Sequence, residues 1–488
     1  MVVLRQLEQS SEADYFENSD FWFNIGSEAI FGPILASIGG LIAGTLSDHW
    51  PSKLGKRNAF IIYGAIIYAF GCIILTLDSI IPLVMLTNNI ETVVKYQWTV
   101  LGLILYIIGY LLWIIGNNMI SVCYRAYILD TFDVTQQDGC NLVKAFWTGL
   151  AWIAAYLTLT ITFSIFQGKE YSEEVFKKAM KVGAIEIVVM YVISNLTLLF
   201  GVVVFYFVSK EPRYEPEDQN APKTKIESLK TGFSYIKKGF QSINIYIFSV
   251  FLIVFFGWYV WYINEEKVHE MSRTYMYPGQ ENAIWRVFSF SLNFIMTGII
   301  LSSVSLILFF TEFRLDLFTI ISFFICAGTS SLYYFLYKDE ENETTHRLHN
   351  YFCSSIPMWS VTLIYCSIKS FPYLLMSKVI PVNQYGVMMG IKNIIVNLAH
   401  VAAICLFFLF FGVLPRNGSN VVNLIGGELF VNYFTVVCPI CVVSGFVSIV
   451  VYYVYKSEME QGILPTDDYK AQVMVDEENE YDDFDNYQ

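Results

Sequence analysis

The sequence predicts an all-α membrane protein with about eleven transmembrane helices. The 488-residue chain is 55% hydrophobic and only 15% charged, with a mean hydropathy of +0.50. A soluble domain would need more charge at its surface. Apolar runs of about 20 residues, long enough to cross a bilayer, recur along the whole chain. Eleven of them lie near residues 21–47, 59–77, 98–124, 143–166, 183–208, 242–263, 284–310, 315–337, 356–379, 386–412 and 430–455.

Basic residues between these runs predict which loops are cytoplasmic. Lys53, Lys56 and Arg57 lie close together after the first run, and seven more basic residues lie in the longest polar connection, 209–241. Because Lys and Arg are enriched in cytoplasmic loops, both segments are predicted to be cytoplasmic. Apolar residues recur every three or four positions in 225–240, which predicts an amphipathic helix on the membrane surface. A solvated linker helix is the alternative.

N-glycosylation sequons test this orientation independently, because they are used only on the external or lumenal side. Sequons begin at Asn342 and Asn417. Both fall in loops that the basic residues place outside. We therefore predict a glycoprotein modified at these two asparagines.

The predicted spans divide the chain into five parts. An external segment (1–20) precedes an N-terminal helix bundle (21–208), a cytoplasmic central loop (209–241), a C-terminal helix bundle (242–455) and an acidic cytoplasmic tail (456–488). Many of the acidic residues behind the net charge of −13 lie in the tail. A segment of that composition is predicted to be disordered and solvated.

The loop GTLSDHWPSKLGKRNAFI, residues 44–61, carries the strongest motif. It resembles the loop between helices two and three of the major facilitator superfamily, and more closely the version found in the sucrose transporter branch, the glycoside-pentoside-hexuronide cation symporters. The matching residues are Gly44, Ser47, Asp48, Ser52, Gly55, Arg57, Phe60 and Ile61. The resemblance implies the major facilitator fold, which has twelve helices.

The same resemblance implies a cytoplasmic gate. In it, Asp48 would face basic residues and a helix N-terminus, where a carboxylate is favoured by the helix dipole. A simple loop cap is the alternative role of Asp48. The predicted gating residues are Gly44, Asp48, Gly55, Lys56 and Arg57.

A second stretch, 116–126, is similar to the fourth helix of sucrose transporters. Asn118 and Arg125 are seven residues apart, two helical turns, so that both can face one cavity. Amide and guanidinium groups supply many hydrogen-bond donors, which suits sugar hydroxyls. As the alternative, Arg125 could extend to the interface and pair with Asp130.

In the second half, 386–393 resembles the start of the family's eleventh helix. Arg286 and Asn293 share one face of another span, and the family also has Arg and Asn in that helix. The predicted substrate-binding residues are Asn117, Asn118, Arg125, Arg286, Asn293 and Asn393.

Two departures from the family concern coupling and length. The family's membrane-embedded Asp, which the resemblance links to proton uptake, is replaced by Ile114. Glu28 is the best substitute, because desolvation can raise the pKa of a carboxyl toward neutrality. Only five spans precede the central loop, so that the family's first helix is lacking. Either the sequence begins at an internal methionine, which we favour, or the protein is a true eleven-span variant.

The sequence thus predicts a carrier that moves a sucrose-like disaccharide or another glycoside by alternating access, with a proton or another cation as coupling ion. An uncoupled sugar facilitator and a non-transporting membrane sensor are the alternatives. The predicted partners are the sugar and the lipid bilayer, with no nucleic acid. The plasma membrane is favoured over an internal membrane. We predict no enzymatic activity, cofactor or metal site, because the sequence holds no GxxxxGK[ST], HExxH or GxSxG motif.

Overall fold

The computed structural model describes residues 32–85, 100–164, 173–209, 211, 224–271, 283–336, 344–380, 384–411 and 421–460. These residues form twelve α-helices and no strand. The helices are α1 (Gly32–Asp48), α2 (Lys56–Met85), α3 (Val100–Thr131), α4 (Val134–Ser164), α5 (Glu173–Val208), α6 (Lys225–Gln241), α7 (Ile245–Met271), α8 (Ala283–Thr311), α9 (Leu315–Leu336), α10 (Thr344–Val379), α11 (Tyr385–Phe411) and α12 (Val421–Glu460).

Eleven of these helices fall on the predicted apolar runs, and α6 falls on the predicted amphipathic segment. Seven helices in the described ranges are long and apolar enough to cross a membrane. A helix suits lipid because it satisfies its backbone hydrogen bonds internally. The predicted fold class, an all-α integral membrane protein, is confirmed.

The most extensive packing between the helices of the predicted N-terminal bundle (α1–α5) and those of the predicted C-terminal bundle (α7–α12) occurs along two pairs of helices. One pair is α1 with α11, and the other is α4 with α8. A Cβ atom added to Gly149 of α4 would lie 2.6 Å from the carbonyl oxygen of Gly298 in α8, and one on Gly298 would lie 2.7 Å from that of Gly149. A Cβ atom on Gly44 of α1 would likewise collide with the carbonyl oxygen of Gly386 in α11, and one on Gly386 would collide with that of Gly44. Glycine is therefore needed at both crossings, because only a residue without a side chain lets the backbones approach so closely.

Helix α6 lies across the ends of both bundles. Its N-terminus carries a capping box, in which Thr224 and Glu227 each accept a backbone N–H from the other. The hydroxyl of Ser228 donates to the carbonyl of His49 after α1 at 2.8 Å, and that of Ser242 donates to Gln384 before α11 at 2.9 Å. The apolar side chains of α6 that stay exposed are Ile226, Leu229 and Phe240. This arrangement suits a helix that faces lipid on one side and both bundles on the other.

Candidate substrate site and cytoplasmic gate

Asp48 joins the two bundles at the predicted cytoplasmic side. Its carboxylate oxygens accept the backbone N–H groups of Gly386 and Val387, each at 2.8 Å. These groups belong to the first turn of α11, whose N–H groups have no partner within the helix. The same carboxylate forms an ion pair with Arg57. The structure thus places Asp48 against a helix N-terminus and a basic residue; its gating role stays a prediction.

Arg57 is fully buried and has two carboxylate partners. Its Nε donates to Asp130 at 2.7 Å, and its Nη1 donates to the hydroxyl of Ser47 at 2.6 Å, in addition to the Asp48 pair. The Nζ of Lys56 lies 3.6 Å from the same Asp130 oxygen. Burying a guanidinium is tolerable only with such compensation. Asp130 therefore serves Arg57 and Lys56, and it is not the partner that the alternative role of Arg125 required.

Gly55 has a positive φ of +92° and packs against Glu211. A Cβ atom there would lie 2.8 Å from the carboxyl carbon of Glu211. That carboxylate accepts the backbone N–H groups of Arg57 at 2.8 Å and Asn58 at 2.9 Å, and so caps α2. Burial raises the pKa of Glu211, and the two backbone hydrogen bonds oppose this shift. Gly55 is thus required both by the turn and by the room that Glu211 needs.

Three of the predicted substrate residues lie at the junction of the bundles. The amide nitrogen of Asn393 in α11 donates to Asn118 in α3 at 3.1 Å and to the carbonyl of Ala36 in α1 at 3.2 Å. The guanidinium carbon of Arg125 in α3 lies 5.2 Å from the ring centre of Tyr373 in α10. Asn118 and Asn393 therefore bind each other across the two bundles, and Arg125 faces the second bundle.

The other predicted residues are placed elsewhere or are not described. Asn117 is exposed, although it is adjacent to Asn118. Asn293 is buried in α8, where its backbone carbonyl accepts the hydroxyl of Thr297 at 2.8 Å. Arg286 belongs to α8, but its side chain lies outside the described part of the structure. Glu28 and the sequons at Asn342 and Asn417 also lie outside the described residues.

Three lysines that were not among the predicted site residues converge on Arg125. Lys144 belongs to α4, Lys369 to α10 and Lys392 to α11. Arg125 is an electrostatic neighbour of each of the three. We call Arg125, Lys144, Lys369 and Lys392 the basic cluster. Its signal was present in the sequence, because an ionisable residue inside an apolar span predicts function.

Aromatic rings surround the basic cluster. The Nζ of Lys392, which is fully buried, lies 4.2 Å from the ring centre of Tyr373 and donates to its hydroxyl. The Nζ of Lys369 lies 4.6 Å from the ring of Trp258 and 4.8 Å from that of Tyr365. Such cation–π contacts are the main interactions that these ammonium groups make within the described structure.

Four of the rings form a continuous aromatic wall. Trp152 of α4 stacks on Trp261 of α7, with ring centres 5.3 Å apart. Tyr365 of α10 contacts both, at 5.1 and 4.2 Å, and Trp258 at 5.6 Å. Trp258 and Trp261 are buried in the interior. They are therefore not part of an aromatic belt at the membrane interface.

A cleft of about 700 Å³ opens at the predicted cytoplasmic ends of α4, α8, α9, α10 and α12. It is lined by charges of both signs, among them Asp138, Glu312, Arg314 and Lys378. Phe371 of α10 also contributes to its lining. We take the basic cluster as the candidate substrate site, because it brings basic side chains from α3 and α4 next to basic side chains from α10 and α11.

No protein-family model matches the chain, and no curated protein sequence matches it. Solved structures match over nearly its whole length. The E. coli fucose:proton symporter FucP has a TM-score of 0.50 at 13% identity, over 91% of this chain and 95% of that one. The proton:xylose symporter XylE, of the major facilitator superfamily, has a TM-score of 0.53 at 14% identity, over 91% and 90%. A bacterial homologue of the iron transporter ferroportin has a TM-score of 0.52 at 14% identity, over 93% and 97%.

The fold is that of the major facilitator transporters. Identities this low identify the fold alone. The assignment of α1–α5 to the first half of this fold and of α7–α12 to the second stays a prediction of the sequence. The sucrose transporter branch and the missing first helix remain predictions.

Proposed function

We propose that the protein is a membrane carrier that moves a small polar solute, with a sugar or a sugar derivative as the first candidate, by alternating access. The observation that carries this proposal is the site between the halves. Arg125 and Lys144 come from the first half, and Lys369 and Lys392 from the second. A site built from both halves is what alternating access requires, because rocking of the halves exposes it to each side in turn.

The contacts between the halves support the same proposal. The two glycine crossings, Gly44 with Gly386 and Gly149 with Gly298, permit close backbone packing without interlocking side chains. The Asp48 carboxylate binds the start of α11 at the predicted cytoplasmic side. These contacts suit a state that is closed on the cytoplasmic side. Opening that side would break this small set of contacts.

The aromatic wall and the amides support a sugar as part of the substrate. A sugar ring has an apolar face that packs on Trp and Tyr rings, and hydroxyls that bind amides and charged donors. Trp152, Trp258 and Trp261 supply such rings, and Asn118 and Asn393 supply amides. Transport of a sugar by proton symport, with Glu28 as the coupling carboxyl, stays a prediction of the sequence.

Uptake into proteoliposomes tests the proposal. The purified protein should take up one or more members of a panel of radiolabelled sugars and sugar derivatives saturably. Gly298→Leu should abolish this uptake, because its side chain would collide with α4. Gly201→Leu is the matched control, since no atom lies within 4 Å of a Cβ at Gly201.

Absence of flux for every member of the panel in folded wild-type protein would refute a sugar-related carrier. Equal flux in both glycine variants would refute rocking about this crossing. An imposed pH gradient in the same vesicles distinguishes a proton symporter, whose uptake rises when the outside is acidic, from an uncoupled facilitator.

A further inference from the structure

The four groups of the basic cluster face one another from four different helices. Lys369 and Arg125 are electrostatic neighbours of Lys144, and Lys392 has all three of the others as neighbours. No carboxylate appears among the electrostatic neighbours of the three lysines in the described structure. The cluster is therefore a concentration of basic side chains inside the membrane-spanning part of the protein.

Carboxylates near the site act on other groups. Glu265 is an electrostatic neighbour of Tyr365 in the aromatic wall and of two tyrosines outside it, Tyr156 and Tyr262. Asp138 lines the cleft together with Lys378. Neither carboxylate forms an ion pair with a member of the basic cluster in the described ranges.

The cluster also keeps unused hydrogen-bonding capacity. The Nε of Arg125 is buried and has no hydrogen-bond partner in the described structure. Arg57 shows how this chain compensates a buried guanidinium, with Asp48, Asp130 and Ser47 around it. Arg125 is only half-buried as a whole, and it has Tyr373 as a hydrogen-bond partner but forms no ion pair in the described ranges. Burying a charge or a polar group without a partner is costly, so a missing partner of opposite charge is expected at Arg125.

We propose that the basic cluster binds a small organic anion with two or more negative charges, such as a phosphate ester of a sugar or a polycarboxylate. This inference rests on the proposed function and specifies its substrate class. A pocket lined by one sign of charge concentrates counter-ions of the opposite sign. The arginine fork and the lysine ammonium groups match phosphate and carboxylate oxygens. The aromatic wall then contacts the organic part of the anion.

Binding to the purified wild-type protein gives the first test and needs no variant. Glucose 6-phosphate is compared with glucose, glycerol 3-phosphate with glycerol, and citrate with sucrose, by isothermal titration and by the shift in melting temperature. At least one anion should bind about tenfold or more tightly than its neutral counterpart, which corresponds to one favourable charged contact. Equal affinity within every pair would overturn the proposal.

Variants then assign the preference to the cluster. Lys369→Met and Arg125→Gln should each reduce the preference for the anion about tenfold or more, with the affinity for the neutral compound retained. Lys237→Gln is the matched control, because Lys237 is exposed on α6. Lys369→Arg keeps the charge and should keep the preference, which separates loss of charge from loss of folding. An anion preference that survives both neutralising variants would overturn the assignment.

The two proposals can fail separately. Specific anion binding without flux into vesicles would refute the carrier and leave the anion site standing. Saturable flux of neutral sugars that anions do not inhibit would refute the anion site and leave the carrier standing. Inhibition of sugar flux by the phosphorylated sugar, lost in Lys369→Met and kept in Lys237→Gln, supports both.

Discussion

Replacing Asp48 by Asn should open the cytoplasmic side of the protein. Asp48 accepts one backbone N–H on each of its two carboxylate oxygens, from Gly386 and from Val387. Asparagine has a single side-chain oxygen, so one of these hydrogen bonds is lost, and its neutral side chain no longer forms an ion pair with Arg57. The Asp48–Arg57 pair lies within the first half, so the balance between the two states depends on the hydrogen bonds from Gly386 and Val387, which cross between the halves. Weakening a hydrogen bond to a charged acceptor costs about 1.5–3 kcal/mol. A cost of about 2 kcal/mol changes the balance between the two states roughly thirtyfold.

The assay is a distance measurement between spin labels on the two halves. Labels at Lys53→Cys and Glu312→Cys lie on exposed loop positions of the first and second half. The native cysteine Cys405 is exposed and must be replaced first. Asp48→Asn should shift the distance distribution toward longer values in detergent and in lipid. Asp133→Asn, at an exposed acidic residue of the same side, is the matched control and should not shift it. An unchanged distribution in Asp48→Asn would refute the role of this carboxylate in holding the halves together.

Two further predictions concern helix α6. Burial lowers the pKa of His49 from its ordinary value of 6.5; the Asp48 carboxylate opposes this shift, and Arg57, Lys56 and Lys238 add to it. The ring of His49 stacks on that of Tyr235 in α6, with ring centres 3.9 Å apart. The docked state favours the neutral imidazole, so the docking of α6 should be complete above about pH 6.5 and should weaken as the pH falls below it. The rate of hydrogen exchange in α6 measures the docking. His49→Phe should remove its pH dependence. Gly239→Leu should undock α6 at every pH, at a cost of about 1–3 kcal/mol, because a Cβ there would lie 2.7 Å from a methyl group of Val387. Protection of α6 from exchange that equals wild type in this variant would contradict the packing, and Gly201→Leu serves again as the control.

The positions of the helices follow from local sequence. Lipid offers no hydrogen bonds to the backbone, so that a long apolar run must become a helix wherever it lies in the chain. The predicted runs accordingly fall on the described helices, and the periodic segment from Lys225 onward forms α6. The surroundings of Asp48 were also predictable, because Asp48 and Arg57 are nine residues apart and their loop matched a known motif.

Convergence between distant segments was not predictable in the same way. Asn117 and Asn118 are adjacent in sequence, yet only Asn118 faces α11, because neighbouring residues of a helix point about 100° apart. Trp258 and Trp261 lie close to the end of the predicted span 242–263, a position where tryptophan is typical of the membrane interface. Packing of α10 and α4 against α7 buries them instead.

The sequence by itself determined that this chain is a bundle of membrane helices with a basic, glycine-containing loop after the first described helix. It also holds Lys144, Lys369 and Lys392 inside apolar runs, although they were not among the predicted site residues. Only the tertiary structure decided that these lysines meet Arg125, with aromatic rings beside them and no carboxylate among their electrostatic neighbours in the described residues. The physical reason is that hydrophobicity acts on each segment alone, whereas the cost of a buried charge depends on which groups other helices bring to it.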